Sequence, residues 1–189
     1  MKLYSIILCL LINFLTLPLA SATSLVPINL QQLSMRASLI FYAEVLSNNV
    51  KKDEQSGRIA TFTEFKIIDS IKGNASSTHT IKQIGGHLAS TGTTLRIHGV
   101  PEFQPGNNYV VFLPEKSSLG FCSPLGLHQG SFTVSTVNGE QIVSNGRSLV
   151  VQPQQNSNTI QIPLAVDVDK PTHARLDDFI NTVRAFNTP

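Results

Sequence analysis

The chain has 189 residues, 14 of them basic and 12 acidic, and hydrophobic residues make up 41% of it. That length leaves room for one domain with a proper core but is short for two. The near balance of charge excludes the electrostatic field that nucleic acid needs, and it excludes acidic-tail behaviour as well.

In chain order, the first 22 residues come first. Lys2 gives a positive start, an apolar run follows, and Ala20-Ser21-Ala22 closes it with the small-x-small pattern of a secretory signal. Cleavage is expected after Ala22, because a cut after Ala20 would put Pro18 at an ill-suited position before the scissile bond. The apolar run is shorter than the ~20 residues a bilayer crossing needs and is interrupted by Asn13, so no stable membrane span is expected after cleavage. Cys9 lacks the small residue that precedes a lipidated cysteine. A periplasmic or secreted location follows. The mature chain, residues 23–189, retains Cys122 as its single cysteine and has no intramolecular disulfide to form. Phe121 beside it, in a segment rich in glycine and apolar residues, predicts a buried thiol.

Pro27 or Asn29 is positioned to start a short helix with Leu30, Leu33 and Met35 on its apolar side. Residues 38–46 read as a central strand, and the polar, mixed-charge stretch 47–58 as a solvent-facing loop. The segment 59–73 reads as a strand with a bulge between Phe62 and Phe65, closed by Lys72-Gly73-Asn74. A short strand then carries Ile81 and Ile84 inward, and another carries Leu95 and Ile97 on one face with His98 opposite. Pro105-Gly106 marks a turn before a buried strand, Tyr109 to Leu113, which Pro114 ends.

Asn138-Gly139 supplies the two positive-φ positions of a type I′ hairpin. Its register sets Val137 against Glu140 and Val134 against Val143, with Phe132 on the same face. Residues 148–152 and 159–166 read as two further strands around an exposed polar loop. The period then changes: Leu176, Phe179, Ile180 and Val183 form the stripe of an amphipathic helix over about 172–187, with Thr172 as its cap.

Four histidines, His79, His87, His98 and His128, are possible ligands, but their spacing matches no compact zinc motif and no metal is expected. Gly85, Gly86 and Gly92 lack the lysine and the strand-loop-helix setting of a phosphate loop; the paired glycines read as a reversal or a close backbone approach, and no cofactor is expected. Asn74-Ala75-Ser76 has the form of a glycosylation sequon. The weak candidates for ligand contact are His87, Arg96, His98 and His128, serving an unknown protein or small-molecule partner. The alternative is a thiol-dependent hydrolase using Cys122 and His128.

The blocks LSMRASLIFYAEVLS, TFTEFKIIDSIKG, IKQIGG, VPEFQPGNNYVVFL and GLHQGSFTV, spanning roughly residues 33–136, resemble a family of uncharacterised bacterial exported proteins. Ser38 stands at that pattern's aspartate position and Ala43 at its glycine position. More remotely, the order is similar to the netrin-like modules of metalloproteinase inhibitors and complement proteins, which are OB-type barrels. The resemblance implies a barrel-like β body and a binding role; the many short strands separated by Gly and Pro turns read as a single antiparallel β-barrel (OB-like) or sandwich body with the C-terminal helix. The inhibitors' N-terminal cysteine wedge has no counterpart near Thr23 and is not carried over.

Overall fold

The structure is a computed structural model and describes residues 27–146 and 173–188. The signal segment with its cleavage point, the two strands expected within 148–166 and the cap assigned to Thr172 lie outside these residues. Among the described residues the architecture is mainly β: a seven-stranded antiparallel sheet, a two-stranded one and a C-terminal helix. No helix in this range is long and apolar enough to cross a membrane.

Helix α1 spans Leu30–Arg36. Asn29 caps it by accepting from the Gln32 amide at 2.8 Å, while the Gln32 side chain accepts from the Asn29 amide at 3.3 Å, a reciprocal capping box. Lys72 Nζ donates to the Ser34 and Met35 carbonyls at its other end. The buried face is Leu30, Leu33 and Ser34; Met35, expected on it, is 64% exposed. Only Leu30 and Leu33, three residues apart, keep the helical phase that reaches the core.

The large sheet contains β1 (Leu39–Lys52), β2 (Ile59–Lys72), β3 (Thr78–Ile84), β6 (Asn108–Leu113), β7 (Ser131–Val137), β8 (Glu140–Ser144) and β9 (Ala174–Arg175). Its strand order is β3-β2-β1-β6-β7-β8-β9, and the end strands β3 and β9 do not pair with each other. Strands β4 (Gly86–Leu88) and β5 (Thr93–Leu95) form the small hairpin sheet. Only the second half of the stretch 47–58 is a loop, residues 53–58: its first six residues extend β1, paired with β2 as far as Lys52 against Ile59. Cross-strand pairing with Ile59 to Glu64 gave these polar residues a β conformation that their composition opposed.

Two cores lie on opposite faces of the shared strand β1. Ile40 and Tyr42 join Val110, Phe112, Phe132 and Val143 beneath the two helices. Phe41, Ala43 and Val45 join Phe65, Ile81 and Val111 on the other face. The β7-β8 hairpin has the expected register, Val134 against Val143 and Val137 against Glu140. Helix α2 spans Leu176–Ala185, with Arg175 rather than Thr172 in the capping position, and docks Leu176, Phe179, Ile180 and Val183 as the periodicity predicts.

The expected bulge falls elsewhere. Phe62 to Glu64 run in unbroken register; the extra residue is Leu46 on β1, between the pairs Val45–Phe65 and Ser47–Glu64. Two more shifts leave Ile68 and Ile71 unpaired on β2. The Leu46 bulge changes the phase of β1, so that Asn48 and Val50 continue on the face that carries Val45.

A candidate binding groove at the polar end of the sheet

That change of phase builds the site. Toward the β1-β2 turn, the face that buries Phe65 and Ile81 becomes polar, carrying Thr63 and Thr61 on β2, Asn48 on β1 and Gln83 on β3. The β4-β5 hairpin and the irregular segment 96–104 stand across from this face and enclose a groove of about 540 Å³. Its volume lies within the range of small-molecule sites.

Side chains of the sheet tether the opposing wall. Thr63 Oγ1 donates to Asn48 Oδ1 at 2.7 Å, and this orients the amide so that Asn48 Nδ2 donates to the Phe103 carbonyl at 2.6 Å. Gln83 Nε2 donates to the Pro101 carbonyl at 3.4 Å, and Thr61 Oγ1 to the Gly85 carbonyl at 2.7 Å. The paired glycines do what close approach requires. A Cβ on Gly85, at φ +104°, would stand 2.7 Å from the Leu95 carbonyl oxygen; one on Gly86, at φ +130°, would meet Thr61 Oγ1 at 2.5 Å and Val50 Cγ1 at 2.7 Å.

Three of the four candidate contact residues, His87, Arg96 and His98, line this groove and are exposed. His87 Nδ1 shares a 2.8 Å hydrogen bond with Thr94 Oγ1, its cross-strand partner, which fixes the ring and leaves Nε2 free. Glu102 lines the same groove. Among the described residues, neither Arg96 nor Glu102 takes part in a hydrogen bond or an ion pair, with each other or with any other group. The strand expected through Ile97 ends at Leu95, and Ile97 is 39% exposed: beyond Leu95 the segment bonds back on itself, Val100 N to the Ile97 carbonyl at 3.2 Å, instead of continuing the β4 ladder. His128 sits apart. It follows β6 on a 3-10 turn, Leu127–Gly130, and lines a second groove of about 420 Å³ with Ser131 and Thr133, which meets the first at Pro101 and Glu102.

The remaining titratable groups are structural in setting. Cys122 is buried, as its neighbours predict, and its thiol donates to the Pro114 carbonyl at 3.5 Å. Burial pushes that thiol up, with Lys116 acting in the opposite sense. A raised thiol bonded to a carbonyl has neither the thiolate character nor the paired imidazole of a nucleophile. His79 packs on Phe41, ring centres 5.6 Å apart; burial first and Lys116 second hold it below the ordinary histidine value. Asp53, in the β1-β2 turn, binds Lys82 Nζ at 2.9 Å and accepts from the Ser56 hydroxyl at 2.7 Å. Those bonds, Lys82 first, lower its carboxyl to about 2.

No family model and no curated protein matches this chain.

Asn48, Gln83 and Glu102 escaped the sequence reading. Asn48 sat in a stretch that reads as loop, and its inward phase depends on a bulge that only strand pairing reveals. Thr61 and Thr63 register in the sequence as β-formers, which they are, without any sign that they face a groove.

Proposed function

We propose that the protein is an exported binding protein that takes its ligand in the groove between the β1-β2-β3 face and the wall formed by the β4-β5 hairpin and residues 96–104. The observation that carries this is the convergence of His87, Arg96 and His98 on one groove in which the guanidinium has no partner among the described residues. Arg96 is exposed and, among the described residues, uncommitted, so its guanidinium can pair with an anionic group of a ligand without breaking a bond of the fold. Export rests on the charged, apolar and small-residue order of the first 22 residues. The body is read as OB-like, of the netrin type, on the bulged β1-β2 pair that bends the sheet over its second core.

Native mass spectrometry of the protein recovered from the periplasmic or secreted fraction tests both parts. The expected result is a chain cut after Ala22 that carries a small-molecule mass, lost in Arg96→Gln with the melting temperature unchanged. An uncut chain defeats export. A retained mass indifferent to Arg96→Gln defeats the groove as its seat.

The thiol hydrolase has less support, given the setting of Cys122. A thiol-specific reagent is expected to modify Cys122 only as fast as the protein unfolds; modification within seconds of mixing in native buffer would restore the nucleophile.

A further inference from the structure

We infer that residues 114–122 form a strap across the outer margin of β3, closed at neutral pH and released by acid, with the His79 imidazole as its trigger. His79 lies on β3, directly across from Phe65 of β2, and packs on Phe41 of β1. Its Nε2 is sealed from solvent and, among the described residues, is the single buried side-chain nitrogen or oxygen without a hydrogen-bond partner. A neutral ring tolerates that setting. An imidazolium would bury an N–H and a share of positive charge with nothing to accept them. Of the elements packed against the ring, β1 and β2 meet it with the aromatic side chains of Phe41 and Phe65, and the charged group that acts on it is Lys116, a second cation carried by the strap itself.

The strap is fastened lightly. To β3 it gives one backbone bond, Cys122 N to the Lys82 carbonyl at 2.8 Å, and the Phe121 ring, whose centre lies 4.5 Å from Lys82 Nζ. Its other bonds close on itself: Ser117 N donates to the Phe121 carbonyl at 2.9 Å, Gly120 N to the Ser117 carbonyl at 2.8 Å, and the Cys122 thiol to the Pro114 carbonyl. It can therefore leave as a unit, a local opening that costs less than unfolding the sheet. Lys116 acts on Cys122 as well as on His79, so strap, thiol and imidazole share one margin of the second core. Once the strap is open and the ring is hydrated, the imidazole ionises near 6.5, whereas burial first and Lys116 second hold the closed one lower. The closed form thus binds fewer protons than the open one; it is fully favoured above that value and loses ground as pH falls below it.

Amide hydrogen exchange followed by NMR at pH 7.5 and pH 5, corrected for the intrinsic pH dependence of exchange, tests this. The Cys122 amide reports the strap through its bond to Lys82, and the Val110 and Val111 amides of the central strand β6 report the sheet. Protection of the Cys122 amide is expected to fall about fivefold or more at pH 5 while Val110 and Val111 keep theirs. His79→Phe removes the titrating group and keeps an aromatic ring on Phe41, and its Cys122 amide is expected to hold the same protection at both pH values. His79→Gln, neutral and smaller, is expected to do the same and covers the case in which the larger ring distorts β3. Unchanged protection in the wild type overturns the inference, as does a fall that persists in the His79 variants. A fall shared equally by Val110 and Val111 overturns it too, because acid would then be unfolding the body and not releasing a strap.

Discussion

Asp53 shows how one side chain fastens three parts of the chain. Its carboxylate holds Lys82 of β3, while Lys82 Nζ lies 4.5 Å from the centre of the Phe121 ring and Ser56 closes the turn on the other oxygen. Because the folded carboxyl titrates at about 2, below its ordinary 3.8, its contribution to stability is fully present above the unfolded value and is lost as pH falls from near 4 through 2. Urea unfolding of wild type and Asp53→Asn at pH 6 and pH 2 reads this directly. The variant is expected to be weaker at pH 6 and to approach wild type at pH 2; a gap that stays constant would mean that the charge contributes nothing. None of this was visible in the chain. Asp53 lies in a polar stretch where any carboxylate looks solvated, and its partner is 29 positions away.

At the level of elements, local chemistry that carried its own geometry was readable. Asn138-Gly139 imposes a two-residue turn, so the register of β7 and β8 follows from it, and the Leu176, Phe179, Ile180, Val183 stripe fixes the buried side of α2. What depended on a neighbour was not. The Leu46 bulge is a mismatch between two strands and belongs to neither sequence alone, and with it went the inward placement of Asn48. The hairpin wall depends in the same way on close approach. Gly86→Ala drives a methyl into Thr61 and Val50 and is expected to cost about 1–3 kcal/mol by denaturant unfolding on top of the cost of its own positive φ. Gly92→Ala, at the open tip where nothing lies within 4 Å, carries only the cost of its positive φ, about 1–2 kcal/mol. Equal losses by crowding at the two sites would contradict the packing of β4 against β1 and β2; a larger loss at Gly86 with a weakened groove is the expected pattern.

For the molecule as a whole, β1 sits between two cores and contributes alternate side chains to each, Ile40 and Tyr42 to one, Phe41 and Ala43 to the other. Neither core survives removal of the strand they share, so the described body is expected to unfold in one cooperative step. Tyr42 belongs to the first core and Tyr109 to the second, and these are the only tyrosines in residues 23–189. Fluorotyrosine resonances from the two are expected to lose intensity at the same urea concentration; separated midpoints would show two independently folding layers. The outer side of β3 has a further consequence. Cys122 N donates to the Lys82 carbonyl at 2.8 Å and the loop after β6 runs along that margin, so the strand that ends the sheet has part of its outer ladder occupied by its own chain, where a bare ladder would recruit another. That covered stretch is a poor template for the strand of a second copy.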